Sequence, residues 1–146
     1  MNEYLLGEDA TRFSVVSFAD DEMIRVLWSY NEAELYAGID QMRAGGGTSM
    51  SDGIARARQL FSAGGRADAT KIILLLSDGR PNNVRTAVDA ASRAKGEGIT
   101  VFAWGFGGVD WGTLRQIATD PSKAFRTNNL AGLSDHLAGL HAVLCN

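Results

Sequence analysis

Residues Lys71 to Asn83 read KIILLLSDGRPNN, a short apolar run that ends abruptly in polar residues. The run from Ile72 to Leu76 is rich in branched side chains, which predicts a strand buried on both faces of a parallel sheet. Asp78 then lies at the carboxyl end of this strand, where open α/β sheets place their ligands. Because a carboxylate is costly to desolvate alone, Asp78 is a candidate ligand for a metal ion. The alternative is that it only caps the following turn.

Length and composition indicate one globular domain. The chain has 146 residues, of which 45% are hydrophobic and 21% charged, so a sizeable core is expected and disorder is not. The formal net charge of −3 gives no electrostatic reason to expect nucleic acid or an anionic membrane as a partner. No apolar stretch approaches a membrane span, and the amino terminus lacks the basic and apolar regions of a secretory signal.

Strand-like and helix-like segments alternate along the chain, which predicts an α/β fold. The expected architecture is Rossmann-like and doubly wound, with a mostly parallel sheet, helices on both faces and one antiparallel edge strand. The short acidic turn at residues 20–22 makes the first two strands a hairpin. The predicted strands are Phe13–Ala19, Met23–Trp28 (the edge strand), Lys71–Leu76, Ile99–Phe106 and Lys123–Thr127. The predicted helices are Ala33–Met42, one opening at Asp52, one over Asn83–Ala94, a short one after Asp110, and Leu130–Leu144.

Several segments, taken in order, resemble the von Willebrand factor A domain. They are RFSVVSFADD (Arg12–Asp21), GGGTSMSDGI (Gly45–Ile54) and IILLLSDGRPN (Ile72–Asn82), followed by Ile99–Ala118 and Lys123–Leu133. The resemblance covers essentially the whole chain and implies a single domain over residues 1–146.

The resemblance also implies a metal-ion-dependent adhesion site at the carboxyl edge of the sheet. Thr48 matches the threonine of that site and Asp78 its aspartate. Oxygen donors of this kind imply Mg²⁺, or Mn²⁺ or Ca²⁺ in its place. Asn82 or Asn83 has an alternative role as the cap of the next helix. The implied ligand-binding rim consists of Gly47, Ser49, Gly79, Arg80 and Asn82.

The family's first strand and its Asp-x-Ser-x-Ser loop have no counterpart in these residues. The domain is therefore expected to be incomplete at its amino terminus and to bind metal weakly or not at all. Since the family's first strand is central, Phe13–Ala19 and Lys71–Leu76 would each have an unpaired edge. Either these strands close up, or another chain fills the gap, or the fold is unstable. Cys145 would have lost a disulfide partner with the same segment, or is a thiol without a role.

The function implied by the resemblance is a non-enzymatic adhesion module that binds a protein through an acidic residue of the partner. It implies an extracellular or cell-surface location, and the unpaired edges allow self-association. Two alternatives remain open: a cytoplasmic scaffold subunit that partners an ATPase, and a nucleotide-binding enzyme. The loop Gly105–Gly108 lacks the third glycine of a dinucleotide motif. The spacing of His136 and His141 predicts separate surface histidines.

Overall fold

The fold alternates strands and helices in the order that the sequence predicts. The computed structural model describes residues 5–19, 22–42 and 47–144. Its strands are β1 (Phe13–Phe18), β2 (Glu22–Ser29), β3 (Ile72–Ser77), β4 (Thr100–Phe106) and β5 (Ala124–Thr127). Its helices are α1 (Glu32–Asp40), α2 (Met50–Gly64), α3 (Val84–Gly96), α4 (Trp111–Ile117) and α5 (Leu130–Leu144), with a short 3-10 turn at Pro121–Lys123. The α/β class is confirmed, and α2 begins at Met50, two residues before the predicted Asp52, with Ser49 at the N-cap position.

The strands form two sheets among the described residues. β3, β4 and β5 are parallel, with Ile72 opposite Thr100 and Ala103 opposite Ala124. β1 and β2 are antiparallel, with Phe18 opposite Glu22, so the predicted hairpin is confirmed, although residues 20–21 of its turn lie outside the described residues. β1 does not pair with β3. The two strands therefore have not closed up, which was one of the expectations for the absent central strand.

Helices cover both faces of the parallel sheet, as predicted. Successive strand residues point to opposite faces, so Ile73 and Leu75 enter one core while Ile72 and Leu74 pack against another. The larger core is completed by α2, α3 and α4, whose buried residues include Met50, Ile54, Ala87, Ala91, Leu114 and Ile117. The smaller core joins Phe102 and Trp104 of β4 to Leu133 and Leu140 of α5.

Helix α2 connects the two sheets. Phe18 of β1 packs against the core that contains Ile73 and Leu75 of β3. Gly53 of α2 lies so close to Phe18 that a Cβ atom there would be 2.8 Å from the ring. At the far end of the helix, Trp28 Nε1 donates a 2.8 Å hydrogen bond to the carbonyl of Leu60. The position of β1 relative to β3 is thus set by α2.

Candidate functional site

The loop that contains Thr48 is anchored to the segments that follow the carboxyl ends of β1 and β3. The backbone N–H of Ser49 donates to the carbonyl of Ala19, directly after β1. The N–H of Thr48 donates to Asn82 Oδ1 at 2.8 Å, and the N–H of Asn82 donates to the Thr48 carbonyl at 2.8 Å. This reciprocal pair fixes Thr48 beside the loop that follows β3.

The Thr48 hydroxyl faces the Asp78–Gly79 turn. A Cβ atom at Gly79 would lie 3.2 Å from Thr48 Oγ1, so the absence of a side chain there leaves room for the hydroxyl. Ser77 Oγ accepts from the N–H of Gly79 and donates to its carbonyl, which tightens the turn. The Asp78 carbonyl accepts a 3.2 Å hydrogen bond from the N–H of Gly108, after β4. The backbone of Asp78 is therefore held, while the residue remains exposed at the edge of the sheet.

The two asparagines after β3 have different roles. Asn83 is the N-cap of α3, and its Oδ1 accepts a 3.1 Å hydrogen bond from the N–H of Thr86. The capping alternative thus holds for Asn83. Asn82 instead anchors Thr48, a contact between residues 34 positions apart in the chain. No local pattern in the sequence distinguishes the two residues, because both are reasonable caps.

Ser49 lies beneath the predicted rim and is only 8% exposed. Its hydroxyl donates to Asp52 Oδ2, one turn into α2. The spacing of Ser49 and Asp52 is that of an N-cap residue and an acidic first-turn residue, a signal that the sequence does contain. Gly47 is half-buried, and Gly45 and Gly46 lie outside the described residues.

Two arginines add positive charge to the same end of the sheet. Arg80 follows β3, and Arg126 is opposite Gly105, one residue before the end of β4. Both are exposed. The pKa of Asp110 is lowered, first by hydrogen bonds from the backbone and hydroxyl of Thr113 and then by the charges of Arg80 and Arg126. Arg126 was not among the predicted site residues, because its position at this edge depends on the pairing of β5 with β4.

The side-chain oxygens of Thr48 and Asp78 are of the type that binds a hard divalent cation, but they are fewer than such an ion requires. Thr48 and Asp78 supply two oxygen-bearing side chains, whereas Mg²⁺ takes roughly six oxygen ligands, waters included. Within residues 5–19, 22–42 and 47–144, no group of three or more His, Cys, Asp or Glu side chains could hold a metal ion.

The remaining sequence candidates lie away from this site or outside the described residues. His136 is exposed, and its ring stacks on Phe125 with centroids 3.7 Å apart. Trp104 of β4 packs edge-on against the same histidine ring with centroids 4.7 Å apart and is buried. Cys145 lies outside the described residues, as do the side-chain contacts of His141. No described helix is both long and apolar enough to cross a membrane.

The comparisons with known proteins agree on one family. The family model described as "von Willebrand factor type A domain" matches residues 1–138. Matrilin-1 of Mus musculus is 34% identical over 127 residues, which cover 80% of this chain and 25% of the matrilin. The collagen alpha-5(VI) chain of Mus musculus is 30% identical over 145 residues, covering 95% of this chain and 5% of the collagen. The chain thus spans a quarter or less of the length of these relatives.

Solved structures agree with this assignment. Proximal thread matrix protein 1 of the mussel byssus, described with a zinc-occupied MIDAS motif, superposes with a TM-score of 0.82 and 28% identity. The match covers 96% of this chain and 36% of the mussel protein. A von Willebrand factor type A protein of Catenulispora acidiphila has a TM-score of 0.78 at 21% identity, covering 97% of this chain and 34% of that protein, and supports the fold alone. This chain belongs to the von Willebrand factor type A domain family.

Proposed function

We propose that this chain is a non-enzymatic module that binds another protein at the carboxyl edge of its parallel sheet. The observation that carries the proposal is the anchoring of Thr48 by Asn82, which places its hydroxyl beside the Asp78–Gly79 turn. Loops held in this way on a sheet present side chains with little ordering left to occur on binding. Similarity to a matrilin and to a collagen chain supports protein binding as the function.

The chemistry of the rim favours an acidic group on the partner. Arg80 and Arg126 are exposed there, and their charges already act on Asp110. A guanidinium donates two parallel hydrogen bonds to a carboxylate, which adds orientation to the charge attraction. An acidic residue of the partner would therefore approach between the arginines and the Thr48–Asp78 pair. Ser49 is too deeply buried to take part.

A divalent cation is proposed as a weakly held component of this site. Thr48 and Asp78 would be its protein ligands, with Mg²⁺, or Mn²⁺ or Ca²⁺, as the ion. The zinc-occupied MIDAS motif of the mussel thread matrix protein supports a cation at this place in the fold. When bound, the ion would supply a positive charge for a partner carboxylate. Because two protein ligands leave most of the coordination shell to water, we expect weak affinity.

Calorimetric titration of the purified chain with Mg²⁺ and with Mn²⁺ tests the cation. We expect dissociation constants of about 1 mM or weaker. Asp78→Ala should remove the remaining heat, and Asp89→Ala, which alters an exposed aspartate on α3, should leave it unchanged. Micromolar binding that disappears in Asp78→Ala would contradict the expectation of a weak site. Binding equal in both variants would contradict the assignment of Asp78.

Fluorescence anisotropy with a labelled peptide tests the partner chemistry. The probe is a glycine- and serine-rich hexapeptide with one central glutamate, and the matched probe replaces this glutamate by glutamine. We expect Arg80→Glu and Arg126→Glu each to weaken binding of the glutamate probe by about fivefold, with smaller effects at high salt. Arg93→Glu on α3 is the control. Equal binding of both probes would contradict the proposed acidic group.

The setting proposed for the chain is extracellular or at a cell surface. Similarity to a collagen chain and to a thread matrix protein supports this setting over a cytoplasmic scaffold that partners an ATPase. Expression with a secretion signal in a eukaryotic host, followed by a solubility assay of the medium, would test whether the chain folds when it is secreted. Retention of all the protein inside the cell as aggregate would count against it.

A further inference from the structure

The tripeptide Ser-Asp-Gly occurs at two places in the chain, Ser51–Gly53 and Ser77–Gly79. In an Asp-Gly pair the glycine nitrogen can attack the side-chain carboxyl of the aspartate, because glycine has no Cβ atom to obstruct its own nitrogen. Attack within one chain is fast only where the backbone can bring the two atoms together. Since the two copies have the same three residues, a large difference in their reactivity would come from the surrounding structure.

The first copy lies in the first turn of α2, where the glycine nitrogen is held by the helix. Gly53 is buried against the Phe18 ring, and its N–H donates a 3.2 Å hydrogen bond to the carbonyl of Ser49. The Ser49 hydroxyl also donates to the side chain of Asp52. Because attack requires rotation of the backbone at Asp52, the helix would have to open first. The helix therefore protects this copy.

The second copy lies in the turn that follows β3, where the glycine nitrogen is held by a side chain. Gly79 is half-buried, and its N–H donates to Ser77 Oγ at 3.3 Å. Both Asp52 and Asp78 are exposed. The two copies thus differ in the freedom of the glycine nitrogen rather than in access of water to the carboxyl group.

The backbone around Asp78 has room to rotate. Its carbonyl oxygen accepts a 3.2 Å hydrogen bond from the N–H of Gly108. This oxygen is bordered by glycines, since a Cβ atom at Gly107 would lie 3.4 Å from it and one at Gly108 3.7 Å. Rotation of the Asp78–Gly79 peptide therefore breaks the hydrogen bonds with Ser77 and Gly108 but opens no helix.

We propose that Asp78 is a site of spontaneous isomerisation to isoaspartate. The Gly79 nitrogen forms a bond to Cγ of Asp78, and its proton leaves as water with the hydroxyl of the protonated carboxyl group. The product is a cyclic succinimide. Water then opens this ring at the former main-chain carbonyl carbon, which becomes a free carboxylate, while the chain continues through Cβ and Cγ. The mass and the formal charge are unchanged, but the backbone is longer by one methylene group.

Isomerisation at this position would disrupt the candidate site. The carboxylate would move from the side chain of Asp78 to its Cα atom, and Gly79 would shift relative to Thr48, whose Oγ1 faces it. The N–H of Gly108 would then face a carboxylate instead of a peptide carbonyl. This consequence rests on the function proposed above, whereas the modification itself does not.

Peptide mapping of aged protein tests the modification. The 146-residue chain is kept at physiological pH and temperature and digested with trypsin at intervals. Trypsin places Asp52 in the peptide 44–56 and Asp78 in the peptide 72–85, because the bond between Arg80 and Pro81 resists cleavage. Isoaspartate is quantified in each peptide by its chromatographic shift at unchanged mass and by labelling with an isoaspartyl methyltransferase. We expect at least about tenfold more isoaspartate at Asp78 than at Asp52.

Urea and a pair of serine variants separate the effect of structure from that of sequence. In urea both copies are unfolded, so Asp52 and Asp78 should form isoaspartate at rates within about twofold of each other. In the folded protein, Ser77→Ala releases the Gly79 nitrogen and should raise the rate at Asp78 by about threefold. Ser51→Ala is the matched control, because it changes the same position of the helical copy and should leave both rates unchanged.

Two results would overturn the modification. One is equal isoaspartate at Asp52 and Asp78 in the folded protein, and the other is isoaspartate at Asp78 in urea only. Binding of the glutamate probe is measured separately on the aged protein, where we expect the number of binding sites per chain to fall by the isomerised fraction. An unchanged number of sites in protein with isoaspartate at Asp78 would contradict the proposed function of Asp78 and leave the modification established.

Discussion

Asn82 holds Thr48 by two reciprocal hydrogen bonds of 2.8 Å each, one from either backbone N–H. This contact joins the loop before α2 to the loop after β3. It holds Thr48, which follows a glycine-rich segment, so that its hydroxyl lies beside Gly79. The site is thus organised by an amide side chain that itself need not touch a ligand.

Removal of the Asn82 amide should loosen the Thr48 loop. We expect Asn82→Ala to lower the free energy of unfolding by about 1 kcal/mol and to speed hydrogen exchange at the Thr48 amide. Asn83→Ala is the matched control, because it should cost about 1 kcal/mol through the lost cap of α3 without affecting Thr48 exchange. Equal Thr48 exchange in both variants would contradict the anchoring role of Asn82.

Gly53 should be required for the contact between α2 and β1. Alanine normally favours a helix over glycine by about 1 kcal/mol, but a Cβ atom here would meet three atoms of Phe18 at 2.8 to 3.0 Å. We expect Gly53→Ala to destabilise the protein by about 1–2 kcal/mol in urea denaturation, since this overpacking outweighs the gain in propensity.

Gly96→Ala provides the control for Gly53→Ala. A Cβ atom at Gly96, the last residue of α3, has nothing within 4 Å. The substitution should therefore be neutral or stabilise by up to about 1 kcal/mol. If both variants had the same stability, the close packing of Phe18 on α2 would be refuted.

His136 should make stability depend on pH below neutrality. Although the residue as a whole is exposed, partial desolvation of its imidazole against Phe125 and Trp104 lowers the pKa below the ordinary value of about 6.5. The unfolded chain then binds the proton more readily, so stability is retained above about pH 6.5 and lost as pH falls towards the folded-state pKa. Urea denaturation at several pH values should show this slope.

Variants of His136 and His141 show which histidine causes this pH dependence of stability. His136→Gln should flatten the pH dependence between about pH 7 and about pH 5, where unperturbed histidines titrate. His141→Gln should leave most of it in place. A slope that persists in His136→Gln would assign it to other groups.

Asp120 should contribute to stability only above strongly acidic pH. A hydrogen bond from Lys123 first, and then one from Ser122, lowers its pKa to about 2. Because the unfolded carboxyl titrates near about 3.9, this contribution is complete above that pH and is lost as pH falls through about 2. Asp120→Asn should therefore reduce the steepness of acid unfolding monitored by circular dichroism. An unchanged acid transition would contradict the role of Asp120.

The sequence predicted the elements well because their signals are local. The apolar run Ile72–Leu76, the helical spacing in α3 and the cap at Asp110 each act within a few residues. Element bounds differ from the predicted ones by one or two residues, as at Met50, where α2 begins before the predicted Asp52. The site was predicted less completely. The sequence itself predicts Thr48 and Asp78 as site residues, whereas the anchoring contact of Asn82, the burial of Ser49 and the position of Arg126 come from long-range contacts.

By itself, the sequence determined the α/β fold, the family to which the chain belongs and the carboxylate at the end of β3. Only the tertiary structure decided which asparagine holds Thr48, how Arg80 and Arg126 act on Asp110, and that β1 and β3 stay apart. The physical reason is the separation along the chain between the residues that interact. Propensity, capping and hydrophobic periodicity act between near neighbours, whereas strand pairing and loop contacts join residues tens of positions apart.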